Sequence, residues 1–79
     1  MTKKELYKFY EESAAWWRKQ YQYHAECIKE IGDVIKTERA MGLDTKRHES
    51  ERRQLYRWRK QAFKYIQHYI TRMNEVKTS

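Results

Sequence analysis

Glu38-Arg39-Ala40-Met41-Gly42-Leu43-Asp44-Thr45-Lys46 is the stretch that decides the fold. The chain has no proline, and Gly42 is one of only two glycines in 79 residues. A glycine past the end of a helix takes the left-handed conformation that closes the last turn. Leu43 supplies the apolar contact that accompanies such a cap, and Asp44 or Thr45 caps the helix that follows. A helix, a tight reversal and a second helix are therefore expected around residue 43.

The flanks agree. Glu, Lys, Arg, Gln, Ala and Leu are abundant, and all favour helix. Thr2-Lys3-Lys4-Glu5 reads as a capping box, the hydroxyl and the carboxylate each satisfying an amide that a helix start leaves unpaired. One domain over 1–79 follows: a helix over about 3–41, a turn over about 42–44 and a helix over about 45–77. Gly32-Asp33 leaves an alternative open. Either the glycine is tolerated inside the first helix, at about 1 kcal/mol against alanine, or the helix breaks and Asp33 caps a short piece ending at residue 41.

With about 100° per residue, the apolar positions fall in seams. On the first helix Leu6, Tyr10, Trp17, Tyr21, His24, Ile28, Ile31 and Ile35 form one seam. Phe9, Trp16, Tyr23, Cys27 and Val34 form a second stripe beside it. On the second helix Leu55, Trp58, Ala62, Tyr65, Tyr69, Met73 and Val76 form the seam, widened by Tyr56, Phe63, Ile66 and Ile70. An antiparallel hairpin pairs positions whose numbers add to about 86. That sets Ile31 beside Leu55, Ile28 beside Trp58, Tyr21 beside Tyr65 and Trp17 beside Tyr69. The hairpin covers one stripe per helix and leaves the other bare. Phe9, Trp16 and Tyr23 recur every seven residues, as a helix–helix contact requires. The expected fold is all-α: a long antiparallel helical hairpin assembling into an oligomeric bundle, a dimer or larger.

Charge is unevenly placed. Residues 1–41 hold eight Lys/Arg and seven Asp/Glu, whereas 42–79 hold ten and four, so the net +7 belongs almost wholly to the second half. Lys46, Arg53, Arg57, Lys60 and Lys64 fall within about 60° of one another, opposite the apolar arc. They form a phosphate-binding track with no acid interposed, whose contacts are additive, indifferent to sequence and sensitive to salt. Arg52, Tyr56, Arg59 and Phe63 make a separate stripe inside the edge of the apolar arc. There the rings serve as stacking surfaces and the arginines as anchors. A guanidinium in apolar surroundings needs an anion: an acid of this or a neighbouring subunit, a bound phosphate or nucleotide, or an escape to solvent at a subunit edge. Lys46, Arg47 and His48 sit at a helix start, which prefers acids. They favour an anion at the hairpin tip, with Asp44, Glu49 and Glu51 in partial compensation.

Catalytic constellations are missing. His24-Ala25-Glu26 opens a zinc-deaminase signature whose second half, Pro-Cys-x-x-Cys, is absent. His24 and Cys27 lie one turn apart, but no second pair completes a metal site, so His24 reads as a hydrogen-bonded interface histidine. No glycine-rich phosphate loop or nucleophile elbow occurs, and neither metal nor cofactor is expected. The single cysteine allows no internal disulfide. No stretch has the apolar length of a signal peptide or membrane span. The cytoplasm of a cell or of an infected host is the expected setting. The aromatic seams favour mutual burial of the helices over lying on a membrane.

The sequence therefore points to a small non-enzymatic binding or regulatory protein whose basic, aromatic second helix engages nucleic acid or a nucleic-acid–protein assembly. The alternative is an inhibitor or sequestering protein of the kind mobile genetic elements encode, capturing a nucleotide or an acidic protein surface at an inter-subunit site.

Overall fold

The computed structural model describes residues 1–78 and contains two helices, α1 (Lys3–Ala40) and α2 (Lys46–Thr78). Thr2 opens α1. Its Oγ1 accepts from the Glu5 N–H at 3.1 Å and donates to the Glu5 carboxylate at 3.0 Å. One orphan amide of the first turn is thus satisfied, and the acid that suits a helix start is held in place.

No break occurs at Gly32-Asp33. Helix α1 passes straight through it, with open space where a Cβ on Gly32 would stand. The reason is tertiary: Ile28 and Ile35, one turn to either side, are both buried against α2 and hold the intervening backbone in register.

Reversal follows the expected chemistry. Met41 ends α1 and Gly42 adopts φ +74°. The Gly42 N–H donates to the Arg39 carbonyl at 3.1 Å and the Leu43 N–H to the Glu38 carbonyl at 2.8 Å. These two bonds are the Schellman pattern, and they close the carbonyls that α1 leaves open. The Asp44 carboxylate accepts from the Lys46 N–H at 3.0 Å, and the Thr45 carbonyl accepts the Glu49 N–H at 2.9 Å, starting α2.

Five of the described residues are buried: Ala14, Ile28, Ile35, Leu55 and Ala62. Ile35 is the only large side chain fully enclosed among the described residues, at 1% exposure, while Ala14 and Ala62 let the backbones approach. The rest of the seam is aromatic and half-covered. Tyr10 meets Tyr69 with ring centroids 6.0 Å apart, Trp17 stacks on Tyr65 at 4.4 Å and 13°, and His24 meets Trp58 at 5.7 Å.

These contacts correct the level pairing. Trp17 finds its stacking partner in Tyr65 and not Tyr69, and His24 faces Trp58 where Ala62 was expected. Each partner lies four residues nearer the tip, an offset of about 6 Å at the helical rise. An aromatic side chain is long enough to span it. Trp58 and Tyr65 consequently stand at the seam's border and stay exposed, leaving Leu55 and Ala62 at its centre. The hairpin measures 59 × 16 × 13 Å, and its radius of gyration is 17.9 Å. A compact chain of this length would have about 12 Å.

Candidate nucleic-acid interface

Because α1 covers the Leu55–Ala62 side of α2, the opposite side faces water. Lys46, Arg53, Arg57, Lys60 and Lys64 all stand on it and are exposed. Ion pairs elsewhere join Arg39 to Glu49, Arg47 to Glu51 and Arg72 to Glu75, and a hydrogen bond joins His48 to Glu38. None of the five outward cations has a carboxylate partner among the described residues. From Lys46 to Lys64 the track is about 27 Å long, or about eight phosphates of one strand.

Rings border the track on both sides. Arg57, Lys60, Gln61, Lys64, Tyr65 and His68 line a shallow hollow on one flank. Tyr21, Tyr56, Arg59, Lys60 and Phe63 line another on the other flank. Lys60 belongs to both, so the cations and the two aromatic borders form one continuous surface. Tyr56 and Phe63 are exposed, as stacking demands.

The arginine stripe divides. Arg59 is half-buried, its guanidinium carbon 5.1 Å from the centre of the Tyr56 ring and 5.8 Å from that of Tyr21. Aromatic faces attract cations by their quadrupole, and within the chain they are what Arg59 rests on. Arg52 lies beside Glu49 at the tip. The Glu49 carboxyl is held below its ordinary range, first by the hydrogen bond from Arg39, then by Thr45, with the charges of Arg39 and Arg52 adding. Arg59 thus rests on rings, whereas Arg52 lies near a carboxylate.

Two cross-turn contacts engage acids at the tip. Arg39 Nη2 lies 2.6 Å from Glu49 Oε1, and His48 Nδ1 lies 2.8 Å from Glu38 Oε1, both across the turn. With Arg47 beside Glu51 and Asp44 on the Lys46 amide, the protein's own acids offset part of the tip's positive charge.

His24 departs from expectation. Its ring packs between Tyr23 and Trp58, and its buried Nδ1 has no hydrogen-bond partner. Cys27 is half-buried one turn from Tyr23, and their hydrogen bond is the first cause that pushes the Tyr23 phenol above its ordinary ionisation range. No group of three or more His, Cys, Asp or Glu side chains among the described residues is placed to hold a metal ion. No helix among them is long and apolar enough to cross a membrane.

On the other side of the hairpin the surplus stripe is bare: Phe9 is 51% exposed, Trp16 53% and Tyr23 60%. Beyond it toward the tip, Cys27, Ile31, Val34, Gln54, Leu55 and Trp58 line a groove along the seam.

Two members of this surface are not evident from the sequence, and Tyr65 serves both the seam and its border. His68 follows Lys64 by one turn and shares its face. Tyr21 comes from the other helix, and only the observed register brings it to Arg59. No known family of proteins, no curated protein and no solved structure matches this chain.

Proposed function

We propose that the hairpin is a binding module, not an enzyme, and that the outward face of α2 lies along the backbone of a nucleic acid. One observation carries this: five exposed cations without acid partners share a face about 27 Å long, with exposed rings on both borders. Lys46, Arg53, Arg57, Lys60 and Lys64 contact phosphates, while Tyr56 and Phe63 stack on bases exposed in single strands or loops. Such a surface reads backbone and not sequence, because no side chain on it is fixed to address a base edge.

A second reading rests on Arg59. A guanidinium set between two tyrosines, with Lys60 and Phe63 alongside, also suits one planar anion such as a nucleotide, or an acidic protein surface. The protein would then sequester that ligand.

Reversing Arg53, Arg57 and Lys60 to Glu separates the two. Under the first reading, affinity for every oligonucleotide falls alike, and the slope of log K against log salt flattens by about one unit per lost contact. Unchanged oligonucleotide binding in the triple variant sinks the nucleic-acid reading. Stoichiometric capture of a mononucleotide, lost in Arg59→Ala, establishes the second.

A further inference from the structure

The three rings of the uncovered α1 stripe are evenly spaced about Trp16, and Cys27 and Val34 continue the stripe toward the tip. Phe9 and Tyr23 each lie seven positions from Trp16, and all three are more than half exposed. Four charges on the stripe's outer border, which also carries Glu5 and Glu30, are close to antisymmetric about the same point. Glu12 lies four residues before Trp16 and Lys19 three after; Lys8 lies eight before and Glu26 ten after. All four are exposed, and none takes part in an ion pair among the described residues.

We infer that this face docks a second copy of the chain, α1 against α1 in antiparallel sense, with a two-fold axis passing beside Trp16. Under that axis a residue meets the one equally far on the other side of Trp16. Trp16 meets its own copy, and Phe9 of each chain meets Tyr23 of the other. Glu12 comes level with Lys19 of the second copy, and the symmetry makes that pair twice. Glu26 falls between Lys8 and Glu5, the latter already engaged by the Thr2 hydroxyl. A parallel arrangement sets this charged border against the seam-side border of the second copy, Leu6, Ser13 and Gln20, where no opposite charge answers it.

Area supports a partner of this size. The chain exposes 6429 Å², whereas a compact monomer of 9.9 kDa exposes about 5200 Å². The surplus of about 1200 Å² exceeds the roughly 800 Å² that each side of a standard interface removes from water. A core of five buried residues, two of them alanine, is also small for a chain that folds alone. The inference is independent of what α2 binds, because docking through α1 leaves the outward face of α2 open.

Charge reversal tests it without touching the core. In sedimentation equilibrium, Glu12→Lys alone and Lys19→Glu alone should each weaken the dimer about tenfold, two contacts being lost per dimer. The double variant, with the signs exchanged, should return to within about threefold of wild type. In a Cys27→Ser background, a mixture of Glu12→Cys and Lys19→Cys chains should oxidise chiefly to the mixed disulfide, and neither alone should cross-link comparably. A wild-type monomer at about 100 µM, far above the concentrations at which specific interfaces form, overturns the inference. So does a double variant no better than the singles, or cross-linking of Glu12→Cys chiefly to itself, which marks a different register.

Discussion

The tip and the shaft of this hairpin are held by different forces. At the tip, backbone caps, the Arg39–Glu49 and Glu38–His48 pairs and the enclosed Ile35 all act across a short turn. Along the shaft, half-covered rings take over: Tyr10 on Tyr69, Trp17 on Tyr65, His24 on Trp58. Polar groups at the tip find partners inside the chain, while on the shaft cations and rings are left over on opposite sides. The difference separates the two jobs of the sequence. The tip is where the chain is spent on its own fold, and the shaft is where it keeps surface for others.

Removing the tip's one enclosed large side chain should hurt most. Ile35→Ala leaves a cavity between two helices with little else buried, and should cost about 2–5 kcal/mol in urea unfolding followed by circular dichroism. A loss below about 0.5 kcal/mol would show that the aromatic rungs carry the fold and would erase the contrast.

The two glycines should respond with opposite signs. Gly42→Ala forces a Cβ into φ +74° and should cost about 1–2 kcal/mol. Gly32→Ala meets open space inside a continuous helix and should stabilise by about 0.5–1 kcal/mol. Stabilisation by both would mean that the turn does not need its left-handed residue.

The smallest effect concerns Glu49. Its carboxyl is depressed by Arg39 first and Thr45 next. The stabilisation is therefore present above the ordinary carboxylate range, about 4–5, and is lost as pH falls through the lower, folded value. Glu49→Gln should be less stable than wild type near neutral pH, and the two unfolding curves should converge in acid. A constant gap at all pH values would assign the residue's contribution to packing.

How far the sequence alone carried can be judged residue by residue. Gly42, Leu43 and the Thr2–Glu5 cap were legible because capping is local chemistry, settled within a few residues. The bare stripe of Phe9, Trp16 and Tyr23 was legible because helical periodicity alone puts it outside the seam. Gly32 was not, since glycine serves both helix ends and helix interiors, and here the burial of Ile28 and Ile35 decided the matter. Nor was the register: long rings reach a full turn along the axis, so Trp17 could choose among several partners. Everything built on register was hidden with it, including the seat of Arg59 between Tyr21 and Tyr56. The acids of the tip were visible as residues, but their pairing across the turn required the hairpin to be closed.

The single five-residue connection between α1 and α2 also governs the order in which the molecule forms and comes apart. His48 and Glu38 are ten positions apart in sequence, whereas Tyr10 and Tyr69, near the open end, must close a loop of most of the chain. Closing short loops first costs least entropy, and each pairing made shortens the next. Assembly thus proceeds like a zipper from Gly42 outward, and opening runs in reverse, starting at the open end where Lys4 and Lys77 line one hollow.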